Sequence, residues 1–307
     1  AVGVRYYTDR AWHEALATLE IFLCAGVFQS PQVLMLSGIG PSRELQAHNI
    51  PVAHDLPGVG ANLQDHIDYV MTYKTRAGTQ TLGVSATGGR AIMEAVKQWR
   101  KDRSGKLTSP IAEAGAFLKS GVDLETPDLQ LHFAPGIVDN HGRKMRGGHG
   151  MSIHLSLLKP NSRGRVSLNS DNPLDAPLIN PQYLTHEDDV DRLVTGFKRV
   201  RQLFQHDAFA SIRLKELHTG GVTDEAEIAN WIRKRADTLY HPVGTCRMGG
   251  TGETMSVVGP DLKVNGVDGL RVADASVMPK IVSANTNAAS MMIGWRAGGL
   301  VTKRSGL

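Results

Sequence analysis

The stretch LEIFLCAGVFQSPQVLMLSGIG, residues 19–40, decides the fold. Its apolar start from Ile21 predicts a buried strand, and Gly26 predicts a tight turn. Ser30-Pro31 predicts the start of a short helix, which the SGIG sequence ends. A strand, a turn and a helix in this order are typical of nucleotide-binding domains, so the chain is predicted to have an α/β fold.

Length and composition are those of a folded globular protein. The 307 residues are 41% hydrophobic and 21% charged, which excludes a disordered, collagen-like or coiled-coil protein. The net charge is only +4, with one dense basic stretch over residues 97–106, so nucleic acid is not expected as a partner. Cys24 and Cys246 are too few for a disulfide framework, and no apolar run reaches membrane-spanning length. A cytoplasmic protein is therefore predicted.

Two alternating segments in the middle of the chain predict antiparallel strands with one exposed face. In residues 129–133 and 151–157, every second residue is apolar. Behind them, residues 190–204 have apolar side chains at helical spacing, preceded by a capping pattern from Thr185 to Asp188. We predict a sheet that is backed by this helix and by a second, shorter one.

The last region of the chain concentrates polar groups around two predicted elements. Residues 270–273 predict a short strand that ends at Asp274, and open α/β sheets bind ligands at the carboxyl ends of their strands. Asn285, Thr286 and Asn287 precede an apolar helix, so one of the asparagines is expected to cap it. These groups predict a ligand site.

Four motifs, in this order along the chain, resemble those of the glucose-methanol-choline (GMC) oxidoreductases, flavoenzymes that oxidise alcohols with FAD. They are SPQVLMLSGIGP (residues 30–41), LPGVGANLQDH (56–66), HPVGTCRMG (241–249) and VADASVMP (272–279). The chain is similar to the C-terminal portion of alcohol dehydrogenase-like and choline dehydrogenase-like members. It departs from the family pattern at Val27 and at residues 288–290, where Ala-Ala-Ser replaces the common Ala-Pro-Thr.

The resemblance implies an α/β fold with two domains. Residues 1–66, which include the flavin-covering segment, and residues 239–307 would form part of a Rossmann-like FAD-binding domain. Residues 67–238 would form a substrate-binding domain with an antiparallel sheet backed by helices. The GxGxxG motif that anchors FAD in the family does not occur in the sequence. We therefore expect a fragment that lacks the N-terminal part of the same protein, binds FAD weakly and is inactive on its own.

Alcohol oxidation needs a base for the hydroxyl proton while a hydride leaves the carbon for flavin N5. Histidine suits this role because its pKa lies near neutrality. The resemblance implies that His241 is the base, and it places Asn287 at a family position that is His or Asn. The Asn287 amide would donate a hydrogen bond to the substrate oxygen. Its alternative role is to cap the following helix, unless Asn285 does so.

The resemblance also implies a set of FAD-binding residues around this pair. They are Asn62, Tyr240, Asp274, Ala275, Asn285 and Thr286. The helix that follows Asn287 would direct its positive end toward the flavin and stabilise the anionic reduced form. Without the family, Asp274 is interpreted as a turn or cap residue and Asn62 as a loop residue.

Asp68 and Gln130 are the predicted substrate-binding residues. Choline-oxidising relatives carry Glu at the position of Asp68, where a carboxylate would attract a cationic substrate, although Asp is shorter. Gln130, together with His132 and His154, would line the roof of the pocket. The alternative for these three residues is a solvated face of the sheet.

No metal site is predicted, because the histidine-containing stretch HGRKMRGGHG, residues 141–150, has no Cys or acidic residue. The predicted substrate is a small-molecule alcohol, and the electron acceptor is oxygen or a quinone. A quinone acceptor would associate the protein with a membrane. Three alternatives stay open: a flavin-containing hydroxynitrile lyase, a non-catalytic substrate-domain fragment, and a hydrolase that uses Cys246 and His241.

Overall fold

The structure is a computed structural model and describes residues 1–76, 81–250 and 252–305 of the chain. The strands are β1 (Gly3–Thr8), β2 (Ala11–Leu16), β3 (Ile21–Leu23), β4 (Ile39–Gly40), β5 (His54–Asp55), β6 (Ile67–Thr75), β7 (Gly83–Val84), β8 (Ala114–Leu118), β9 (Leu129–Ala134), β10 (Gly148–Leu157), β11 (Arg165–Ser167), β12 (Leu178–Asn180), β13 (Arg213–Glu216), β14 (Asp237–Thr238) and β15 (Leu270–Val272). The helices are α1 (Gly26–Leu36), α2 (Ser42–Ala47), α3 (Ala86–Asp102), α4 (Glu187–Gln205), α5 (Glu225–Arg235) and α6 (Asn287–Ser305). Among the described residues, no helix has both the length and the apolar character that crossing a bilayer requires.

The chain divides into two compact units. The first contains Ala1–Asp65, Ser162–Tyr183 and Tyr240–Leu307, and the second contains His66–Asn161 and Leu184–Leu239. Ser162–Tyr183 thus packs with the first unit, whereas the sequence predicts it within the middle domain. The reason is that main-chain hydrogen bonds join this segment, around β11, to the chain just before residue 65.

The first unit contains the strand-turn-helix that the sequence predicts. β3 precedes α1 and pairs in parallel with β15, although β3 is half-buried rather than buried. β1 and β2 form an exposed antiparallel hairpin. The apolar core includes Leu34, Met35, Leu45, Val59, Val243, Cys246, Val258, Val272 and Val277.

Helix α1 differs from the prediction, because it begins at Gly26 and contains Pro31. Two contacts from distant parts of the chain explain the difference. The N–H of Gly26 donates to the carboxylate of Asp274 at 3.0 Å, which fixes the helix start. Pro31 has no N–H for the carbonyl of Val27, and the hydroxyl of Thr245 donates to that carbonyl at 2.6 Å instead.

The second unit is built on the predicted antiparallel sheet, and the mixed α/β fold class is confirmed. The strand order is β13-β6-β10-β9-β8, with β14 on β6 and β7 on β10. α4 packs closely on one face, because a Cβ at Gly196 would lie only 2.7 Å from a methyl of Leu155 and 3.0 Å from one of Leu129. The rings of Tyr69 and Phe197 meet edge to face at 5.6 Å in the same interface.

The opposite face of this sheet is polar but buried, whereas the sequence predicts an exposed face. Gln130, Ser152 and Ser156 are each at most 6% exposed. The segment that follows β9 contacts Ser152. The hydroxyl of Ser152 donates to the carbonyl of Gly136 at 2.8 Å and accepts from the N–H of Val138 at 2.9 Å. The sheet therefore encloses polar side chains on this side.

The capping pattern predicted for α4 is wrong. The helix begins at Glu187 after His186, and no side chain caps it. The carboxylates of Asp188 and Asp189 instead accept from the side chain and the main-chain N–H of Asn161, each at 2.7 Å. The acidic residues of the first turn still suit the positive end of the helix dipole.

Candidate functional site

The main chain of His241 is anchored in the first unit by a buried carboxylate. The His241 N–H donates to Asp65 Oδ1 at 2.9 Å, and the Tyr183 hydroxyl donates to Asp65 Oδ2 at 2.6 Å. Tyr240, directly before His241, has a left-handed φ of +65°. Because the contact with Asp65 is made by the main chain of His241, it does not require the imidazole, and the backbone is held in place without it.

The segment that begins at His241 lies between two other segments of the first unit. Gln64 and Val243 exchange two main-chain hydrogen bonds, of 3.1 and 2.8 Å. On the other side, the N–H of Gly244 donates to the carbonyl of Ala275 at 3.2 Å. Ala275, a predicted cofactor residue, therefore contacts the histidine segment through its backbone.

Gly244→Ala is expected to lower the free energy of unfolding by about 1–3 kcal/mol. Gly244 has φ +96°, and a Cβ there would lie 2.7 Å from the carbonyl oxygen of Asn62. Chemical denaturation of the two proteins measures the difference. Gly294→Ala is the matched control, because Gly294 lies in α6 with no atom within 4 Å of the added Cβ. Equal effects of the two substitutions would contradict the prediction.

The structure brings His241 together with Asn285. Asn285 Nδ2 lies 3.2 Å from His241 Nε2. An amide nitrogen only donates, so Nε2 is the acceptor in this contact. An unprotonated Nε2 is the form that a general base needs. The arrangement can therefore accept a proton at Nε2.

Asn287 is the first residue of α6, and its side chain is exposed. Asn285 therefore lies two residues before the helix, and its alternative role as the helix cap stays a prediction. Thr286 directly precedes the helix, is buried, and accepts the N–H and the hydroxyl of Ser290 through its carbonyl at 2.9 Å each. The role of Asn287 toward a substrate oxygen stays a prediction.

Asn62 and Tyr240, two further predicted cofactor residues, differ in their surroundings. Asn62 has φ +63°, and its Nδ2 donates to the carbonyls of Gly244 at 3.1 Å and Pro279 at 3.4 Å. Asn62 thus joins the histidine segment to the chain after β15. Tyr240 has a 64% exposed side chain. Contact of either residue with FAD stays a prediction.

The carboxylate of Asp274 is fully engaged within the first unit. Oδ2 accepts from the N–H of Gly26 at 3.0 Å and the hydroxyl of Ser30 at 2.5 Å, and Oδ1 accepts from the N–H of Ser276 at 2.7 Å. Asp274 thereby caps the 3-10 turn Ala275–Val277 as well as the start of α1. The structure shows the cap role that the residue alone suggests, and the contact with FAD stays a prediction.

The two cysteines do not fit a hydrolase. Cys246 is fully buried, and burial raises the pKa of its thiol. Partial burial and the negative charge of Asp274 also raise the pKa of the Cys24 thiol. A cysteine nucleophile needs a lowered pKa and an accessible sulfur. The geometry therefore does not support the Cys246 alternative.

Asp68 and Gln130, the predicted substrate residues, lie on the buried polar face of the second unit. Asp68, Ser156 and Gln130 lie directly opposite one another across β6, β10 and β9. Asp68 accepts from the Ser156 hydroxyl at 3.1 Å and pairs with His154 Nδ1 at 2.5 Å. Burial would lower the pKa of His154, but the hydrogen bond to Asp68 and the negative charge of Asp68 together outweigh burial and raise it. A protonated His154 offsets the charge of Asp68 and weakens the predicted attraction for a cationic substrate.

His141 joins this pair, and sequence reasoning missed the contact. His141 Nδ1 lies 3.7 Å from Asp68 Oδ2, and the side chain is only 5% exposed. The loop before His141 is fixed by Asp139, whose carboxylate accepts from His218 at 3.0 Å and from Arg235 at 2.6 Å. In the sequence, only His141 itself could have indicated this contact. Its partner Asp68 lies on a distant strand, so no local spacing relates the two residues.

The sequence profile of the GMC oxidoreductase family matches the chain in two parts. Its N-terminal part matches residues 1–68, and its C-terminal part matches residues 160–294. The chain belongs to the GMC oxidoreductase family. The resemblance carried by the four motifs is thus confirmed, and the matched parts of this GMC chain include α1 and the His241 segment.

Two relatives and one solved structure illustrate the similarity of this GMC chain to known proteins. An alcohol dehydrogenase [acceptor] of Pseudomonas putida is 41% identical over 308 residues, which cover 99% of the chain and 55% of the relative. The mitochondrial choline dehydrogenase of Homo sapiens is 38% identical over 98% of the chain and 50% of the relative. Formate oxidase from Aspergillus oryzae, studied for its FAD modification, has a TM-score of 0.89 at 27% identity over 99% of the chain and 57% of its own. The chain spans about half the length of the curated relatives it matches.

Proposed function

We propose that the chain carries catalytic residues of an enzyme that oxidises an alcohol CH–OH group with FAD. The observation that supports this most is the 3.2 Å contact between Asn285 Nδ2 and His241 Nε2, in a chain of the GMC family. His241 is the general base and takes the hydroxyl proton on Nε2. FAD, when bound, supplies the acceptor for the hydride.

The start of α6 fits a flavin ring. The first turn of the helix contains no acidic residue, and the side chains of Asn285 and Asn287 are exposed beside it. A helix N-terminus without a neighbouring carboxylate attracts negative charge, which a flavin builds up on its pyrimidine side during reduction. In the proposal, Asn287 and the first N–H groups of α6 hold the flavin and the substrate oxygen.

The pair His241 and Asn285 explains how the substrate hydroxyl is oriented. A hydroxyl that donates to His241 Nε2 replaces the amide of Asn285 as the partner of this nitrogen. The amide then donates to the substrate oxygen instead. Both groups hold one oxygen, so the hydrogen on the neighbouring carbon is directed toward the flavin. His241 afterwards keeps the proton at Nε2 until solvent removes it.

We propose a small-molecule alcohol as the substrate and oxygen or a quinone as the electron acceptor. Asp68 and Gln130 are proposed to bind the substrate, since they lie on an enclosed polar surface of the second unit. The pairing of Asp68 with His154 makes choline a weaker candidate than an uncharged polar alcohol.

Anaerobic reduction of the flavin tests the proposed function. The whole protein, loaded with FAD, is mixed with a panel of primary alcohols and followed by its flavin absorbance. At least one alcohol is expected to bleach the flavin and yield an equal amount of aldehyde. Cleavage of a cyanohydrin with the flavin still oxidised would indicate a lyase. A protein that takes up FAD but is reduced by no alcohol would contradict the proposal.

Asn285→Ala is expected to lower kcat/KM by about ten- to a hundred-fold, the usual effect of losing one hydrogen bond to a developing charge. Stopped-flow reduction of the bound flavin measures the rate. Asn287→Ala is the comparison variant, which is expected to slow reduction while the flavin stays bound. An Asn285→Ala protein with an unchanged rate would show that the contact with His241 does not serve catalysis.

A further inference from the structure

We propose that helix α3 (Ala86–Asp102) is a docking surface for a bilayer that contains anionic lipids. The helix belongs to the second unit. Its exposed apolar side chains enter the level of the lipid headgroups, and its basic side chains bind the lipid phosphates. Docking of this kind does not cross the bilayer. It is also independent of the proposed alcohol oxidation, which uses His241 in the first unit.

Helix α3 packs little against the rest of the second unit. Of its 17 residues, only Gly88 and Ala95 are buried. The helix is nevertheless well formed at its start, because the Ser85 hydroxyl accepts from the N–H of Gly88 at 2.9 Å. Most helices in proteins are stabilised by packing of an amphipathic face. A surface that covers the exposed face of α3 would therefore stabilise the helix.

The exposed side of α3 presents large apolar side chains. Ile92 is 54% exposed, Met93 is 61% exposed and Trp99 is 39% exposed. Ile92, Val96 and Trp99 follow one another by four and three residues, so they line one face of the helix. The guanidinium of Arg103 lies 4.1 Å from the centre of the Trp99 ring, at the end of this face. Tryptophan is enriched where proteins meet lipid headgroups, because its ring is both apolar and polar.

Basic side chains lie beside this apolar face and continue past the end of the helix. They are Lys97, Arg100, Lys101, Arg103 and Lys106. Lys97 and Arg100 follow Met93 by four and seven residues, so they lie next to it on the helix surface. In the part of the chain that the structure describes, none of the five forms an ion pair. Two carboxylates, Glu94 and Asp102, leave the segment with a net positive charge.

The combination of exposed apolar and basic side chains selects an anionic bilayer as the partner. A helix with a basic polar face and an apolar face lies in the plane of the headgroups, and each Lys or Arg adds attraction to anionic lipids. The long stems of these residues pack along apolar surface while their charged ends reach the phosphates. A nucleic acid also offers phosphates, but its charged backbone does not take up Ile92 and Met93.

Vesicle sedimentation tests the basic part of the surface. The whole protein is mixed with phosphatidylcholine vesicles, with and without phosphatidylglycerol. We expect binding that requires phosphatidylglycerol and weakens as salt is added. Lys97→Gln/Lys101→Gln is expected to weaken it about thirty-fold, from the usual attraction of two basic residues. Lys74→Gln/Lys215→Gln is the matched control, because it removes the same charge from exposed, directly opposed positions of β6 and β13. The control is expected to bind as the wild type does.

A second variant tests the apolar part of the surface. Ile92→Gln/Met93→Gln retains every basic residue and is expected to weaken binding to the same vesicles about ten-fold or more. Both positions are exposed, so the melting temperature is expected to stay unchanged, which calorimetry checks. A DNA duplex is tested in parallel. A wild type that does not sediment with anionic vesicles, α3 variants that bind them equally well, or binding of the duplex in place of vesicles would overturn the proposal.

Discussion

His241→Ala is expected to slow flavin reduction by alcohol about a hundred- to ten-thousand-fold, the usual contribution of a general base. The substitution removes Nε2 but leaves the main-chain N–H that donates to Asp65 at 2.9 Å. The segment should therefore keep its position, and FAD should stay bound. Single-turnover reduction under anaerobic conditions measures the loss directly, because it excludes the step with the electron acceptor.

Two comparisons make the result of His241→Ala specific. His13→Ala removes an exposed imidazole from the β1–β2 hairpin, where its ring stacks on Tyr6, and is expected to leave the rate unchanged. The flavin absorbance of both variants reports on cofactor binding. If His241→Ala retains bound flavin and reduces it at nearly the normal rate, His241 is not the base.

Glu216→Ala is expected to lower the free energy of unfolding by about 3–5 kcal/mol, the cost of breaking a buried ion pair. Glu216 Oε1 accepts from Arg201 at 2.7 Å and from Thr219 at 2.5 Å, while Oε2 accepts from Arg201 at 3.0 Å and from Tyr73 at 2.7 Å. The substitution leaves the guanidinium of Arg201, which lies in the second unit, without its carboxylate partner. A fall in melting temperature of roughly 10 °C is expected, measured by calorimetry.

An exposed ion pair provides the control for Glu216→Ala. Glu187 pairs with Arg233 at 2.6 Å, but its side chain is 80% exposed. Glu187→Ala is therefore expected to cost less than about 1 kcal/mol. A loss for Glu216→Ala that is no larger than this would show that the buried network does not stabilise the second unit.

The stability supplied by Glu216 is expected to depend on pH. Burial alone would raise its pKa, but the hydrogen bonds from Arg201, Thr219 and Tyr73 outweigh burial and lower it. A carboxyl group with a lowered pKa in the folded state stabilises the protein above the pKa of the unfolded chain, and this contribution is lost as pH falls through the folded value. The difference between wild type and Glu216→Ala should therefore shrink in acid, below the ordinary range of a glutamate pKa.

The elements with a repeating pattern could be predicted from the sequence. Residues 129–133 and 151–157 alternate strictly and form paired strands, and the apolar spacing over residues 190–204 forms α4. The family motifs predicted that Asn287 meets His241, whereas the contact in the structure is made by Asn285, two residues earlier. Local periodicity and the order of the motifs can be recognised in the sequence without knowing which distant segments are in contact.

The features that sequence reasoning missed depend on contacts between distant segments. α1 contains Pro31 because the Thr245 hydroxyl satisfies the carbonyl that the proline leaves unpaired. Ser152, on the polar face of the sheet, is buried against the segment after β9, which has no periodicity. The same segment brings His141 to Asp68, which no spacing rule relates to it. Asn285, which lies two residues before α6, contacts His241.

The contact of Asp274 with the N–H of Gly26 limits where a diphosphate can bind. Helix starts recruit phosphate oxygens when their N–H groups have no internal acceptor. At α1 the carboxylate of Asp274 is this acceptor, so its negative charge would repel a phosphate group at the start of the helix. We therefore expect the diphosphate of FAD to bind away from the β3–α1 turn.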